Sequence, residues 1–240
     1  MVAREKPTKV DVDHWHRILG SPFAGAYVSE LYWLARDTVE TCERVFSNAE
    51  PPPPESSYIK VDHALHADIY RVLNNAARIR ALVKDRSRRP DQSARQFAVQ
   101  EKRTRWMRDL LDGQSTDAIL QAQVRNSLEH FDEYLDETAL RSSMAQIARP
   151  TLFPIDMTLG RDGSLQQFTE GVVYPVRVYL AEERTFVNCG KRIDVGAIAL
   201  ECQTIAEHLV ELSPQLAKEN EPSSEGRGSS MLVVTNDSFS

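Results

Sequence analysis

The apolar residues between Val61 and Val83 recur at every third or fourth position without a break. This spacing matches the 3.6 residues of a helical turn, so it gathers the apolar side chains on one face of an α-helix. The sequence therefore predicts a helix over about 61–84. Such a helix must bury its apolar face against other elements, which constrains the fold more than any other feature. The apolar stripe consists of Val61, Leu65, Ile69, Val72, Ala76, Ile79 and Val83.

Three further segments carry the same helical period, over 22–47, 93–112 and 117–141. Ser21 before Pro22 is a typical helix start, because serine caps free backbone N–H groups and proline fits the first turn. The first helix must end before the four prolines at 51–54, which we interpret as a stiff connector between helices. Four amphipathic helices predict a mainly α fold, an antiparallel four- to five-helix bundle.

The sequence changes character after residue 150. Residues 172–180 are rich in β-branched and aromatic side chains, which predicts a strand, and Pro175 restricts that strand to the edge of a sheet. Two short strand-like segments then flank Cys189-Gly190, the pattern of a β-hairpin. Asp194 can cap a final helix with a clear apolar stripe. We therefore expect a small β-hairpin element and a final helix beside the bundle.

The predicted elements divide the chain into four parts. These are an N-terminal segment (1–20), the helical bundle (21–149), the hairpin with its helix (150–213) and a tail predicted to be disordered (214–240). The tail is rich in Ser, Glu, Gly and Asn, a composition that cannot bury enough apolar surface to fold.

Composition narrows the function classes. The net charge is −6, so overall basicity gives no indication of nucleic acid binding. No stretch approaches the ~20 apolar residues of a membrane span, and the three cysteines form no disulfide framework. We therefore expect a cytoplasmic protein without a membrane partner.

Charge is unevenly distributed along the chain. Residues 71–108 contain twelve basic and three acidic residues, whereas 109–140 contain eight acidic and one basic. One interpretation is that the two segments neutralise each other within the molecule, and this is the simpler one because they are consecutive. The other is an exposed basic face that binds phosphates. Its candidate RNA-binding residues are Arg86, Arg88 and Arg89.

One short motif lies on the fourth predicted helix, where Arg125-Asn126 precedes His130 by four residues. It resembles the Arg-Asn-x-x-x-His signature of HEPN domains, in which the motif lies on a late helix of a helical bundle. This resemblance covers the motif and the bundle, and says nothing about residues 150–240. It implies a metal-independent endoribonuclease of a toxin or antiviral defence system, active as a homodimer with paired motifs. An antitoxin would then be a further partner.

The chemistry of the motif agrees with that resemblance. Asn126 and His130 fall on the side of the predicted helix away from its apolar stripe. The expected partner is single-stranded RNA, which supplies its own 2′-hydroxyl nucleophile, so we expect no metal and no cofactor. His130 can then move the proton, Arg125 can stabilise charge on the phosphate, and Asn126 can support the geometry. These three are the candidate catalytic residues.

Alternatives remain open at the same positions. Arg125 can pair with Glu129 one turn later, which leaves His130 as a solvated surface histidine. The tyrosine that nucleotidylation-silenced toxins often carry two residues after the histidine is Asp132 in this chain. The alternative function is a non-catalytic helical binding module for protein or nucleotide partners.

Two more histidines, His63 and His66, are three residues apart on the second predicted helix. With His14, His16 and His130 they could form a zinc or iron site, which would be a different class of function. His63 lies opposite the apolar stripe of its helix, and no Glu-x-x-His pair of a di-iron bundle is present. We therefore interpret both as exposed histidines with satisfied hydrogen bonds and predict no metal site.

Overall fold

Helices make up most of the residues described in the computed structural model, which are 24–49, 59–85, 87–121, 131–144, 156–160, 176–214 and 216. The helices are α1 (Ala24–Asn48), α2 (His63–Val83), α3 (Ala94–Leu110), α4 (Asp117–Leu120), α5 (Phe131–Met144) and α6 (Val195–Leu212). The strands are β1 (Ile59–Val61), β2 (Met157–Leu159), β3 (Arg177–Leu180), β4 (Thr185–Asn188) and β5 (Lys191–Asp194). The predicted N-terminal segment and the proline run lie outside the described residues, as does most of the predicted tail.

Helices α1 and α2 pack against each other in opposite directions. Three ion pairs support this antiparallel arrangement. Residues near the end of α1 pair with residues near the start of α2, and residues near the start of α1 pair with residues near the end of α2. They join Arg44 to Asp68, Asp37 to Arg71 and Glu30 to Arg78. The apolar stripe that predicted α2 is the face that the helix buries, apart from the exposed Val61 before its start. The predicted helices over 22–47, 61–84 and 93–112 thus correspond to α1, α2 and α3.

Helix α6 packs along α1 and joins the same hydrophobic core. Cys202, Ile205 and Leu209 of α6 are fully buried with the apolar faces of α1 and α2. The predicted N-cap is confirmed, since a carboxylate oxygen of Asp194 accepts a hydrogen bond from Ala197 N at 2.7 Å. None of the three cysteines forms a disulfide.

The continuous helix predicted over 117–141 is wrong. Helix α4 ends at Leu120, because Gln121 has an extended backbone with φ −60° and ψ 133°. The next described helix is α5, over Phe131–Met144. The single turn of α4 is held by a residue of α6. The buried Glu201 carboxylate accepts hydrogen bonds from Ala118 N and Ile119 N. A long-range contact therefore caps the start of this short helix.

The strands form one mixed sheet in the order β1-β2-β3-β4-β5. Strands β2 and β3 are parallel, and the other neighbours are antiparallel. The predicted hairpin is confirmed as β4 and β5, joined at Cys189 (φ 46°) and Gly190 (φ 79°). Two positive φ values in a two-residue turn are typical of a type I′ hairpin.

Two expectations about the sheet are corrected. Strand β3 has a neighbour on each side, so it is not the edge strand that Pro175 predicted. Pro175 precedes the first residue of β3 by two positions, so it takes no part in the described ladder. The sheet is also larger than the predicted hairpin, because β1 and β2 add to it. One face, including Tyr179 and Phe186, belongs to the core shared with the helices.

Among the described helices, none is both long enough and apolar enough to cross a membrane.

Candidate functional site at the start of helix α2

The residues that the sequence singled out are only partly described. Arg125, Asn126, His130 and Arg86 lie outside the described residues. Arg88 and Arg89 are exposed in the segment before α3. Arg88 Nε donates to Gln92 O at 2.8 Å, and Arg89 Nε lies 3.6 Å from Asp91 Oδ1.

A polar cluster lies where the N-terminus of α2 meets the start of β2. We call it the His–Asp cluster and define it as His63, His66, Tyr70, Asp156 and Arg177. The three members on α2 are spaced three and four residues apart, which places them on one face of the helix. The backbone N–H of Asp62, the N-cap of α2, donates to Asp156 O at 3.1 Å and holds the two segments together.

Asp156 is the centre of the cluster. Its φ of 60° is in the left-handed region, which aspartate tolerates better than most residues. Its side chain is only 11% exposed, and each carboxylate oxygen faces a nitrogen of the cluster. Oδ2 lies 2.7 Å from His63 Nδ1, and Oδ1 lies 3.0 Å from Arg177 Nε. The Arg177 contact is an ion pair without hydrogen-bond alignment. A buried carboxylate thus connects two cationic or protonatable groups.

His63 is the solvent-facing member of the cluster, with 77% of its side chain exposed. A carboxylate only accepts hydrogen bonds, so His63 Nδ1 must carry the proton that it donates to Asp156. In the neutral ring this leaves the lone pair on Nε2. His63 is therefore an exposed base whose tautomer is fixed by a buried carboxylate.

His66 is buried, with 1% of its side chain exposed, so the prediction that it is a surface histidine is wrong. Its Nε2 lies 3.0 Å from Met157 O, and a carbonyl only accepts, so Nε2 is the donor. The ring also packs edge-on against Phe186, with centroids 5.8 Å apart. Burial lowers the pKa of His66, although the Asp156 charge acts in the opposite direction. The ring is therefore neutral near pH 7.

Arg177 connects the cluster to two aromatic rings. Its Nη1 donates to the Tyr70 hydroxyl at 2.7 Å. Its Cζ lies 5.4 Å from the Tyr70 ring centroid and 5.1 Å from that of Phe131, the first residue of α5. Burial raises the pKa of Tyr70, so its hydroxyl stays protonated at neutral pH. These contacts restrict the guanidinium beside Asp156.

The cluster has the parts of an acid–base site. An exposed imidazole nitrogen can accept a proton, and the carboxylate behind it stabilises the imidazolium that forms. Among the described residues, no group of three His, Cys, Asp or Glu side chains has an arrangement that could hold a metal ion.

Sequence reasoning missed most of this cluster. The spacing of His63, His66 and Tyr70 is visible in the sequence, because all three lie on one helical face. Asp156 and Arg177 come from segments more than 90 residues away, and only the fold brings them to α2.

A scan against family models and searches of curated proteins and of solved structures found no match to this chain.

Proposed function

We propose that the protein is a metal-independent endoribonuclease of a toxin or antiviral defence system, as its HEPN-like motif implies. The observation that carries this proposal is the 2.7 Å contact between the exposed His63 ring and the buried Asp156 carboxylate. It supplies a proton-accepting group whose orientation is fixed before substrate binds.

Cleavage by the 2′-hydroxyl needs one group to remove a proton and another to supply one. In this proposal His63 Nε2 takes the proton from the 2′-hydroxyl, and the 2′-oxygen attacks phosphorus. The bond between phosphorus and the 5′-oxygen breaks, and protonated His130 gives its proton to that oxygen. The products are a 2′,3′-cyclic phosphate and a 5′-hydroxyl.

A contact of α5 supports joining the two groups in one site. Phe131 directly follows His130 in the sequence, and its ring contacts Arg177 of the His–Asp cluster. Arg125 would then stabilise charge on the phosphate, and Asn126 would support its geometry. Arg86, Arg88 and Arg89 would hold the RNA backbone.

The test is RNA cleavage in excess chelator, with separate measurement of the cyclic phosphate end. We expect His63→Gln, His130→Ala and Arg125→Ala each to slow cleavage by about 10²-fold or more. His208→Gln is the matched control, because His208 binds Leu110 O away from the cluster. Equal cleavage by all variants, or none by the wild type, would contradict the proposal.

A non-catalytic binding module is the second candidate, and in it the cluster would have a structural role. His66 binds Met157 O and Asp62 binds Asp156 O, so the cluster also fastens α2 to the sheet. If the protein is such a module, neither the wild type nor His63→Gln should cleave RNA. Asp156→Asn would then change only the unfolding temperature.

A further inference from the structure

Three buried atoms of the His–Asp cluster lie together without a hydrogen bond between them. They are His66 Nδ1, Asp156 Oδ1 and Arg177 Nε, and none of them has a hydrogen-bond partner among the described residues. His66 Nδ1 lies 3.5 Å from Asp156 Oδ1, and Arg177 Nε lies 3.0 Å from the same oxygen. Because His66 Nε2 carries the ring proton that Met157 O accepts, Nδ1 is an acceptor that faces a second acceptor. The neutral ring thus leaves a buried position for one more proton.

A proton on His66 Nδ1 changes the balance of forces at this oxygen. The charged ring can donate to Asp156 Oδ1, and a hydrogen bond between charged groups is about twice as strong as a neutral one. Arg177 Nε lies against the same oxygen without hydrogen-bond alignment, so its contact is the weaker of the two. The imidazolium also repels the guanidinium, because both are positive. Protonation of His66 therefore loosens Arg177 from Asp156.

The surroundings of His66 set the pH at which this happens. The titratable or charged groups that face it are Asp62, the N-cap of α2, His63 and Tyr70 of α2, Asp156 before β2 and Arg177 of β3. Phe186 of β4 packs against the ring and carries no charge. Burial is the main cause that holds the pKa of His66 below its ordinary value, and Arg177 lowers the pKa further, while Asp156 and Asp62 act in the opposite direction. The folded protein therefore takes up this proton only below about pH 6.5.

Arg177 passes the change on to helix α5. The ring centroid of Phe131, the first residue of α5, lies 5.1 Å from Arg177 Cζ, and that of Tyr134 lies 5.7 Å from Lys191 Nζ. Residues three apart share one face of a helix, so α5 meets the sheet there through two cation–π contacts. Among residues 131–137, 139 and 140 of α5, none is buried. A helical segment without a buried side chain can shift while the core stays folded.

We propose that His66 is the sensor of a pH switch that releases the start of α5. At neutral pH Asp156 positions Arg177, and Arg177 holds the ring of Phe131. In acid the proton on His66 Nδ1 occupies Asp156 Oδ1, Arg177 is repelled, and Phe131 loses the cation that held it. The contact between Tyr134 and Lys191 then holds this face of α5 alone. The switch operates whether or not the cluster cleaves RNA.

The experiment is an NMR titration of the folded full chain between about pH 7.5 and about pH 5. It follows the His66 ring and the backbone amides of Phe131 and Tyr134. We expect the ring and both amides to shift with one common midpoint. In His66→Gln, whose side-chain amide can still donate to Met157 O, the two backbone amides should lose this shift. His63→Gln is the matched control and should keep it, because His63 contacts the other carboxylate oxygen of Asp156.

Asp156→Asn provides a second variant with a different expected result. It removes the charge that positions Arg177, so the amides of Phe131 and Tyr134 should lie near their acid positions at every pH. A His66 ring that takes up no proton in this interval, or one that titrates while the two amides stay unchanged, would overturn the switch. So would a shift that persists in His66→Gln or disappears in His63→Gln. The buried Ile205 of α6 reports the core, and loss of its signal in the same interval would show unfolding instead of release.

Discussion

His66 makes the folded state sensitive to acid. Burial holds its pKa below the unfolded value of about 6.5, so on acidification the unfolded chain binds a proton that the folded chain does not. This contribution to stability is complete above that value and is lost as the pH falls below it. We expect the unfolding temperature to fall between about pH 7.5 and about pH 5.5.

The control for this effect is His66→Gln, whose amide can still donate to Met157 O. The variant should lose less unfolding temperature over the same pH interval, as measured by calorimetry. An equal loss in both proteins would mean that other groups cause the acid sensitivity.

Glu201 is the residue whose loss should destabilise α4 most. Its carboxylate accepts hydrogen bonds from Ser115 Oγ at 2.8 Å, Ala118 N at 3.0 Å and Ile119 N at 2.9 Å. Glu201→Ala leaves buried donors without acceptors, so the free energy of unfolding should fall by about 2–3 kcal/mol. Glu201→Gln keeps one acceptor oxygen and should cost less. Urea unfolding measures both, and equal stability of Glu201→Ala and wild type would contradict this role.

Sequence reasoning found candidate site residues only where the signal was local. The pair His63 and His66 was visible, but its environment was not, because burial of His66 depends on Phe186 and Met157 from distant segments. Asp156 belongs to no motif that the sequence shows. The role of the Arg125 to His130 motif stays a prediction.

At the scale of elements, helices were predictable because their apolar periods are complete within one segment. α1, α2, α3 and α6 all follow such stripes. β1 and β2 were missed because each has three residues and its partner is distant, as in the pairing of Ile59 with Leu159. Three residues are too few for an alternating pattern to be recognised.

The exposed half of α3 should unfold locally. Ser93 and Gln96 form a capping box at the start of α3. Ser93→Ala removes this cap, which costs about 1 kcal/mol. Because residues before Thr104 contribute little to the core, this should accelerate amide exchange at 94–100 about fivefold. Hydrogen exchange in α2 provides the internal control and should be unchanged. Unchanged exchange in 94–100 would show that the capping box does not support this segment.

At the scale of the whole molecule, we predict a homodimer, because the HEPN-like motif implies paired sites. Sedimentation at tens of micromolar should give twice the 27.2 kDa chain mass. A mass of one chain at this concentration would contradict the dimer.

The backbone of Asp156 has a consequence for exchanging this residue. Its φ of 60° lies in the left-handed region, which asparagine tolerates as aspartate does and which β-branched residues do not. Asparagine can therefore remove the charge from the centre of the cluster while the chain keeps its path into β2.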